Sequence, residues 1–346
     1  MKKILLVNQG LSSNIGDKAI LLALKKYFED KGCLTEVAGF THFENTEIKD
    51  IDCYKYVQER IIDLPVMIKW NIKMKNRLRN EMVKYAQEYD YVVVGGGQLI
   101  KSHCYFPYAL DMWADFAEKR AKRSVLIAVG IDPSFSGYEK KIIQRAINKF
   151  DFFTVRDKRS KERAKFFFDK EVIEFPDVAF LLEKYFRYNS ENKREDVVVM
   201  PFDYATYKYH FKNDKKSKEY DLFWLQLIQH ILENNPTVKL MYTTAEDKRE
   251  CFRIFEKLSL ENQMKVELYH VNSVEDILKK FSSATDIYSA RMHALILGMV
   301  AGAKVHSINI SDKIESFEKE FILSEKKVVE YAKEITKELD KIFEFD

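Results

Sequence analysis

Apolar residues along this chain fall in short compact runs separated by longer amphipathic stretches, and the alternation recurs throughout. Lys3–Val7, Thr35–Gly39, Tyr91–Val94, Ser124–Val129 and Phe152–Val155 read as buried strands, with a shorter one at Val172–Glu174. Runs this short and this uniformly apolar suit a parallel sheet covered on both faces. The stretches between them carry apolar residues at helical spacing. In the first, Ile20, Leu21, Leu24 and Phe28 share one face, Asp17 begins the helix and Gly32 ends it. Further helices are predicted over Pro65–Tyr89, Tyr105–Lys122, Tyr138–Lys149 and Ser160–Phe168. The charged stretch Glu183–Asp196 lacks periodicity and reads as a linker. Strand-type runs resume at Val197–Met200, Val238–Tyr242, Lys265–Tyr269, Asp286–Ser289 and Val305–Ile308. Helices are predicted between them at Asp221–Asn234, Asp247–Leu258, Val274–Phe281 and Ala294–Ala301, and Ser316–Asp346 reads as mostly charged helix. Asp50–Asp63 is irregular, and Lys208–Lys218 reads as a basic exposed loop.

This βα alternation predicts two doubly wound α/β domains with parallel sheets. The boundaries fall at residues 1–185, a linker 186–196, a second domain 197–320 and a C-terminal helix 321–346. A length of 346 residues suits two such domains. With 46% hydrophobic and 32% charged residues the composition is that of a globular protein. The net charge of +3 gives no argument for nucleic acid. Cys33, Cys53, Cys104 and Cys251 are scattered without a CxxC pair, which argues against a zinc site and suits a reduced cytoplasm. Met1–Asn8 lacks the length of a signal peptide, and no apolar run reaches the roughly 18 residues of a membrane span.

Candidate chemistry gathers at predicted strand ends, where open α/β sheets bind ligands. Asn14, Gly16 and Asp17 occupy the first strand-to-helix turn, but Gly10 and Gly16 do not make GxGxxG and no GK[ST] follows. The plain alternative for Asp17 is a helix N-cap. Three of only 11 glycines, Gly95, Gly96 and Gly97, stand together before Gln98. A turn of that kind admits a ligand or another backbone and frees N–H groups for an anion. Lys101, Ser102 and His103 follow and could line the same crevice. Asp132, the pair Arg156–Asp157 and Asp177 each follow a later strand. Arg291 and His293 open the helix after Asp286–Ser289, where backbone N–H groups, a guanidinium and an imidazole together favour a phosphate or carboxylate. The alternative there is an Arg capping a carbonyl beside a half-buried His. The Pro65–Tyr89 helix carries Lys69, Lys73, Lys75, Arg77 and Arg79 beside Trp70 and Met74. It suits either an anionic membrane surface or a solvated crossover helix.

Taken in order, NIGDKAIL (Asn14–Leu21), VVVGGGQLI (Val92–Ile100), VGIDP (Val129–Pro133), TVRDKRS (Thr154–Ser160), FPDVAF (Phe175–Phe180) and SARMHALILGMVAGAKV (Ser289–Val305) resemble the polysaccharide pyruvyl transferase family. The resemblance implies two Rossmann-like domains facing each other across a cleft, as in GT-B glycosyltransferases. It implies transfer of a pyruvyl group from phosphoenolpyruvate to two hydroxyls of a sugar in an envelope or exopolysaccharide glycan, giving a cyclic ketal. The family's Arg-x-His pair falls on Arg291 and His293, and its Arg-Asp element on Arg156 and Asp157. No cofactor is implied. The acceptor is a saccharide, in relatives often lipid-linked, which places the enzyme in the cytoplasm or peripherally at its membrane. Two alternatives stand beside this reading: a GT-B glycosyltransferase using a nucleotide sugar, and a non-catalytic partner in a glycan pathway.

Overall fold

The computed structural model describes residues 1–41, 64–102, 105–186, 194–211 and 216–345. Cys53, Cys104, His103 and the stretch Asp50–Asp63 lie outside the described residues, as do the side chains of Lys69 and Trp70. Contacts divide the chain into two compact units. Unit 1 comprises Met1–Ser12, Ile20–Leu181 and Lys333–Asp346, and unit 2 comprises Ser13–Ala19 and Leu182–Ala332.

The first sheet and its helices run β1 (Lys3–Asn8), α1 (Ile15–Asp30), β2 (Leu34–Gly39), α2 (Leu64–Val83), β3 (Tyr89–Ile100), α3 (Phe106–Arg120), β4 (Ala121–Ile131), α4 (Gly137–Ile147), β5 (Phe152–Val155), α5 (Lys158–Phe168) and β6 (Ile173–Glu174). A 3-10 turn, Val178–Lys184, follows. The strands are parallel in the order β2-β1-β3-β4-β5-β6. Leu5, Val7, Val92, Val94, Leu126 and Val129 are buried in its core, as the compact apolar runs require. Trp113 of α3 is fully buried, and its Nε1 donates to the Phe40 carbonyl at 3.1 Å, satisfying the indole's only polar group.

Two elements depart from the sequence pattern here. The helix α1 begins at Ile15, two residues before Asp17, because Asn14 Oδ1 accepts from the Gly16 N–H at 2.9 Å and opens the turn. Asp17 therefore sits inside the first turn, where its charge opposes the helix dipole favourably, and does not begin the helix. The helix α2 stops at Val83 and Tyr89 already belongs to β3.

Unit 2 is built from β7 (Asp196–Met200), α6 (Tyr204–Phe211), α7 (Ser217–Asn234), β8 (Val238–Leu240), α8 (Ala245–Phe255), α9 (Leu260–Gln263), β9 (Val266–Leu268), α10 (Val274–Ser282), β10 (Ala284–Ser289), α11 (Met292–Val300), β11 (Lys304–Ser307) and α12 (Asp312–Phe317). Of the residues expected as a basic loop, Lys208–Phe211 end α6 and Ser217–Lys218 begin α7, while 212–215 lie outside the described residues; an aromatic cluster of Tyr204, Tyr207 and Tyr220 ties the two helices together. The parallel strand order is β11-β10-β7-β8-β9. The strand order reverses between β7 and β10, and open α/β sheets bind ligands at the C-terminal ends of strands at such a point.

The expected C-terminal helix is broken. A π-helical turn, Glu318–Ile322, ends the segment that follows α12, and α13 (Val328–Phe343) begins afresh. Most of α13 packs in unit 1. Phe343 meets Phe28 edge-on at 4.8 Å and Tyr91 at 5.1 Å, and Asp340 accepts from the Tyr27 hydroxyl at 2.8 Å and pairs with Lys31 at 2.7 Å. Phe343 is fully buried. Phe343→Ala is expected to lower the stability of unit 1 by about 3–5 kcal/mol, measured by urea unfolding. A loss under about 1 kcal/mol would show that α13 is not part of this core.

Candidate active site

Phe202 follows β7 and Arg291 follows β10, so both lie at the reversal point of the unit 2 sheet. The Arg291 guanidinium stacks on the Phe202 ring with Cζ 4.0 Å from its centroid. Its Nε and Nη2 donate to the two carboxylate oxygens of Asp247, each at 2.7 Å, a bidentate pair. Asp247 is 2% exposed. The same carboxylate accepts from the Asp203 N–H at 3.0 Å, just beyond β7. Thr244, the N-cap of α8, accepts from the Asp247 N–H and lies 3.4 Å from Arg291 Nη2. Burial would pull the guanidinium's pKa down, but the charge and hydrogen bonds of Asp247 outweigh it and hold Arg291 above the usual arginine value. The site therefore keeps its cation at every physiological pH.

Arg291 is the N-cap residue of α11 in extended conformation, its side chain bonding nothing in the helix it caps. The alternative in which it caps a neighbouring carbonyl is replaced by the pair with Asp247. Its N–H is taken by the Ser289 hydroxyl at 3.0 Å. His293 is the second residue of α11 and is half-buried. The first turn of α1 lies directly on it: a Cβ at Gly16 would stand 2.5 Å from His293 Nδ1 and 2.8 Å from its Cβ. Only a residue without a side chain permits that approach. The Ile15 N–H donates to the Thr243 carbonyl at 3.0 Å, fixing the turn to the segment between β8 and α8. Asn14, Gly16, Asp17, Arg291 and His293 are thus brought together in unit 2.

Gly95, Gly96, Gly97, Gln98, Asp132, Arg156, Asp157 and Asp177 lie in unit 1. The three glycines adopt φ of +144°, +70° and +84° within β3. Packing accounts for two of them: a Cβ at Gly95 would strike the Ile127 carbonyl at 2.2 Å, and one at Gly96 would strike Ile20 at the same distance. Gln98 donates to Asp132, which also accepts from the Ser102 N–H at 3.0 Å, so these side chains tie two strand-end loops together. Arg156 is 2% exposed and pairs with Asp177 at 2.9 Å, with the Asp157 carboxylate 3.6 Å from its Nε. Asp157 is the N-cap of α5 and accepts from the Ser160 N–H at 2.7 Å.

Asp247, Thr244 and Phe202 are the site residues that the sequence reading passed over. Asp247 reads there as the first residue of a helix. The Thr244-x-x-Asp247 capping pattern was visible, but the bond from Asp247 to a residue 44 positions away was not.

A family model described as polysaccharide pyruvyl transferase matches residues 14–312. No curated protein matches the sequence. Among solved structures, the S. aureus MnaA–UDP co-structure is similar at TM-score 0.56 and 13% identity, covering 100% of this chain and 98% of that one. The UDP-GlcNAc 2-epimerase from Methanocaldococcus jannaschii is similar at TM-score 0.50 and 10% identity, with 100% of both chains covered. At these identities the likeness is one of fold, and it fits two Rossmann-like domains of the GT-B class.

Arg156→Ala would remove the guanidinium that pairs with buried Asp177. It is expected to cost about 3–5 kcal/mol of stability, read by urea unfolding. An unchanged unfolding midpoint would show that the pair contributes no net stability.

Proposed function

The chain belongs to the polysaccharide pyruvyl transferase family, and from that premise we propose that it transfers a pyruvyl group from phosphoenolpyruvate to two hydroxyls of a glycan sugar. One observation carries the reading most: Arg291, locked by Asp247 over Phe202 at the sheet's reversal point, with His293 two residues on at a helix start. A three-carbon donor with a carboxylate and a phosphate suits such a place, because oriented N–H groups and a guanidinium bind both anions.

The chemistry follows from the donor. A proton is added to the enol CH2 carbon, which makes the neighbouring carbon electrophilic. One sugar hydroxyl attacks that carbon and loses its proton. The phosphate leaves with the C–O bonding pair, and the second hydroxyl closes the ketal and releases its proton. We assign the first proton transfer to His293 as general acid and the grip on phosphate or carboxylate to Arg291. Asn14, Gly16 and Asp17 lie in the same unit, and Gly16 lies directly against the His293 ring. Arg156, Asp157 and the Gly95–Gly97 segment, with Gln98, Asp132 and Asp177, belong in this reading to the acceptor-side unit, where they hold the strand-end loops in shape. The reading requires no cofactor beyond the donor substrate, and it keeps the enzyme in the cytoplasm with an envelope saccharide, lipid-linked or free, as acceptor.

Calorimetry should show phosphoenolpyruvate binding that weakens about 10- to 150-fold in Arg291→Gln, the cost of one contact to a charged group. Because this change strands Asp247, the variant Asp247→Asn/Arg291→Gln is measured beside it. Equal affinity in all three proteins would remove Arg291 from the site. Transfer of label from phosphoenolpyruvate to a glycoside panel, with none from nucleotide sugars, is the expected activity. The opposite labelling pattern would make the enzyme a glycosyltransferase.

His293→Gln should retain donor affinity within a few-fold and lose about 10²- to 10⁴-fold in turnover. Gly16→Ala should produce a comparable loss by displacing the imidazole. Turnover near that of the unaltered protein in His293→Gln would hand the proton transfer to another group.

A further inference from the structure

A groove of about 750 Å³ runs over unit 1 between α2, α3 and α4. Its lining includes Lys75, Arg79, Lys119, Arg120, Lys141 and Arg145, against only two acids, Asp111 and Asp115. Both acids are already engaged: Asp111 by Arg145, with Nε to Oδ1 at 2.8 Å, and Asp115 by Lys149. The lining therefore carries six cations less two anions, a net +4. The whole chain carries only +3, so the remainder sums to −1. The small overall charge conceals a concentration of positive charge on one face. A field of that kind steers an anionic partner to one place.

Apolar side chains stand among these cations. Val83 at the groove's edge is 73% exposed and Tyr138 is 63% exposed. Beside the groove, Lys141 and Arg145 also line a shallower hollow that ends at Phe167, and Phe167 packs edge-on against Phe166, itself 80% exposed. Water-exposed rings and aliphatic chains at the rim of a basic groove have no use for a soluble polyanion. They fit a surface with anionic headgroups outside and hydrocarbon beneath, where Lys and Arg stay among phosphates while apolar tips enter the interface.

We propose that this α2–α3–α4 face docks on an anionic bilayer. The sequence offered only the basic run of α2. The larger part of the charge comes from the C-terminal turn of α3 and from α4, which the fold sets beside it. Docking is independent of the ketal chemistry, since none of the residues placed at the donor site lines the groove. Among the described residues no helix is long and apolar enough to cross a membrane, so the attachment is peripheral.

The test is vesicle co-sedimentation of the full chain. Vesicles of phosphatidylcholine with about a third phosphatidylglycerol should bind it at low salt, and the binding should weaken as salt shortens the screening length. Pure phosphatidylcholine should not bind it. Lys119→Gln/Arg120→Gln/Lys141→Gln should weaken binding roughly 100-fold, about fivefold per charge lost. A control with the same charge change elsewhere, Lys279→Gln/Lys333→Gln/Lys337→Gln, should stay within a few-fold. Val83→Ser should weaken binding without altering net charge. Circular dichroism melts confirm that each variant is folded. Failure of the unaltered protein to bind, or equal losses in the two triple variants, overturns the proposal. So does capture of soluble polyphosphate through the same three residues with no binding to vesicles.

Discussion

One carboxylate organises unit 2. Asp247 takes two hydrogen bonds from Arg291 beyond β10 and one from the Asp203 backbone beyond β7, while its own N–H is capped by Thr244 beyond β8. Loops from three strands are thereby pinned to one buried group. A buried carboxylate is costly unless its lone pairs are filled, and here the bonds that fill them also fix the guanidinium's position. The stacking of Arg291 on Phe202 closes the other face of the cation. With side-chain rotation removed in advance, the guanidinium is held in one orientation at the sheet's reversal point, and the proposed anion would require little further ordering.

The same polar residue types at strand ends do different things in the two sheets. In unit 1 they bind one another: Gln98 and Ser102 to Asp132, Arg156 to Asp177, and Asp157 to the first turn of α5. Such mutual satisfaction closes loops and holds strand ends in register. In unit 2 the rim brings a bound cation, an imidazole and the open turn of α1 to one spot. A polar residue after a strand is therefore evidence of place, and its partners decide whether it is a fastening or a site.

Much of this was legible in the sequence. Period and run length gave the strands and the two-sheet architecture, because a buried parallel sheet requires uniform apolar runs. Arg291 and His293 stood out because a guanidinium and an imidazole follow a strand end at a helix start, where free N–H groups favour an anion. The reasons for the glycines were less accessible. Gly95 and Gly96 make room for the backbone of β4 and for Ile20 of α1, and those contacts depend on which elements become neighbours. Asp247 was hidden for a similar reason: a capping pattern announces its local bond and conceals its distant one. The segment that holds α13 read only as mostly charged helix, and such a reading does not say which core the helix joins. The break before α13 has no signal stronger than a run of charged residues.

That last helix has a consequence for how the molecule is made. Residues 333–345 pack in unit 1, yet every residue of 182–332 leaves the ribosome before them. During synthesis the aromatic slot around Phe28 and Tyr91, which Phe343 fills in the finished molecule, stays vacant while the second sheet is being translated. Domains usually complete themselves in order from the N-terminus. In this chain the first-made unit is the last to be finished.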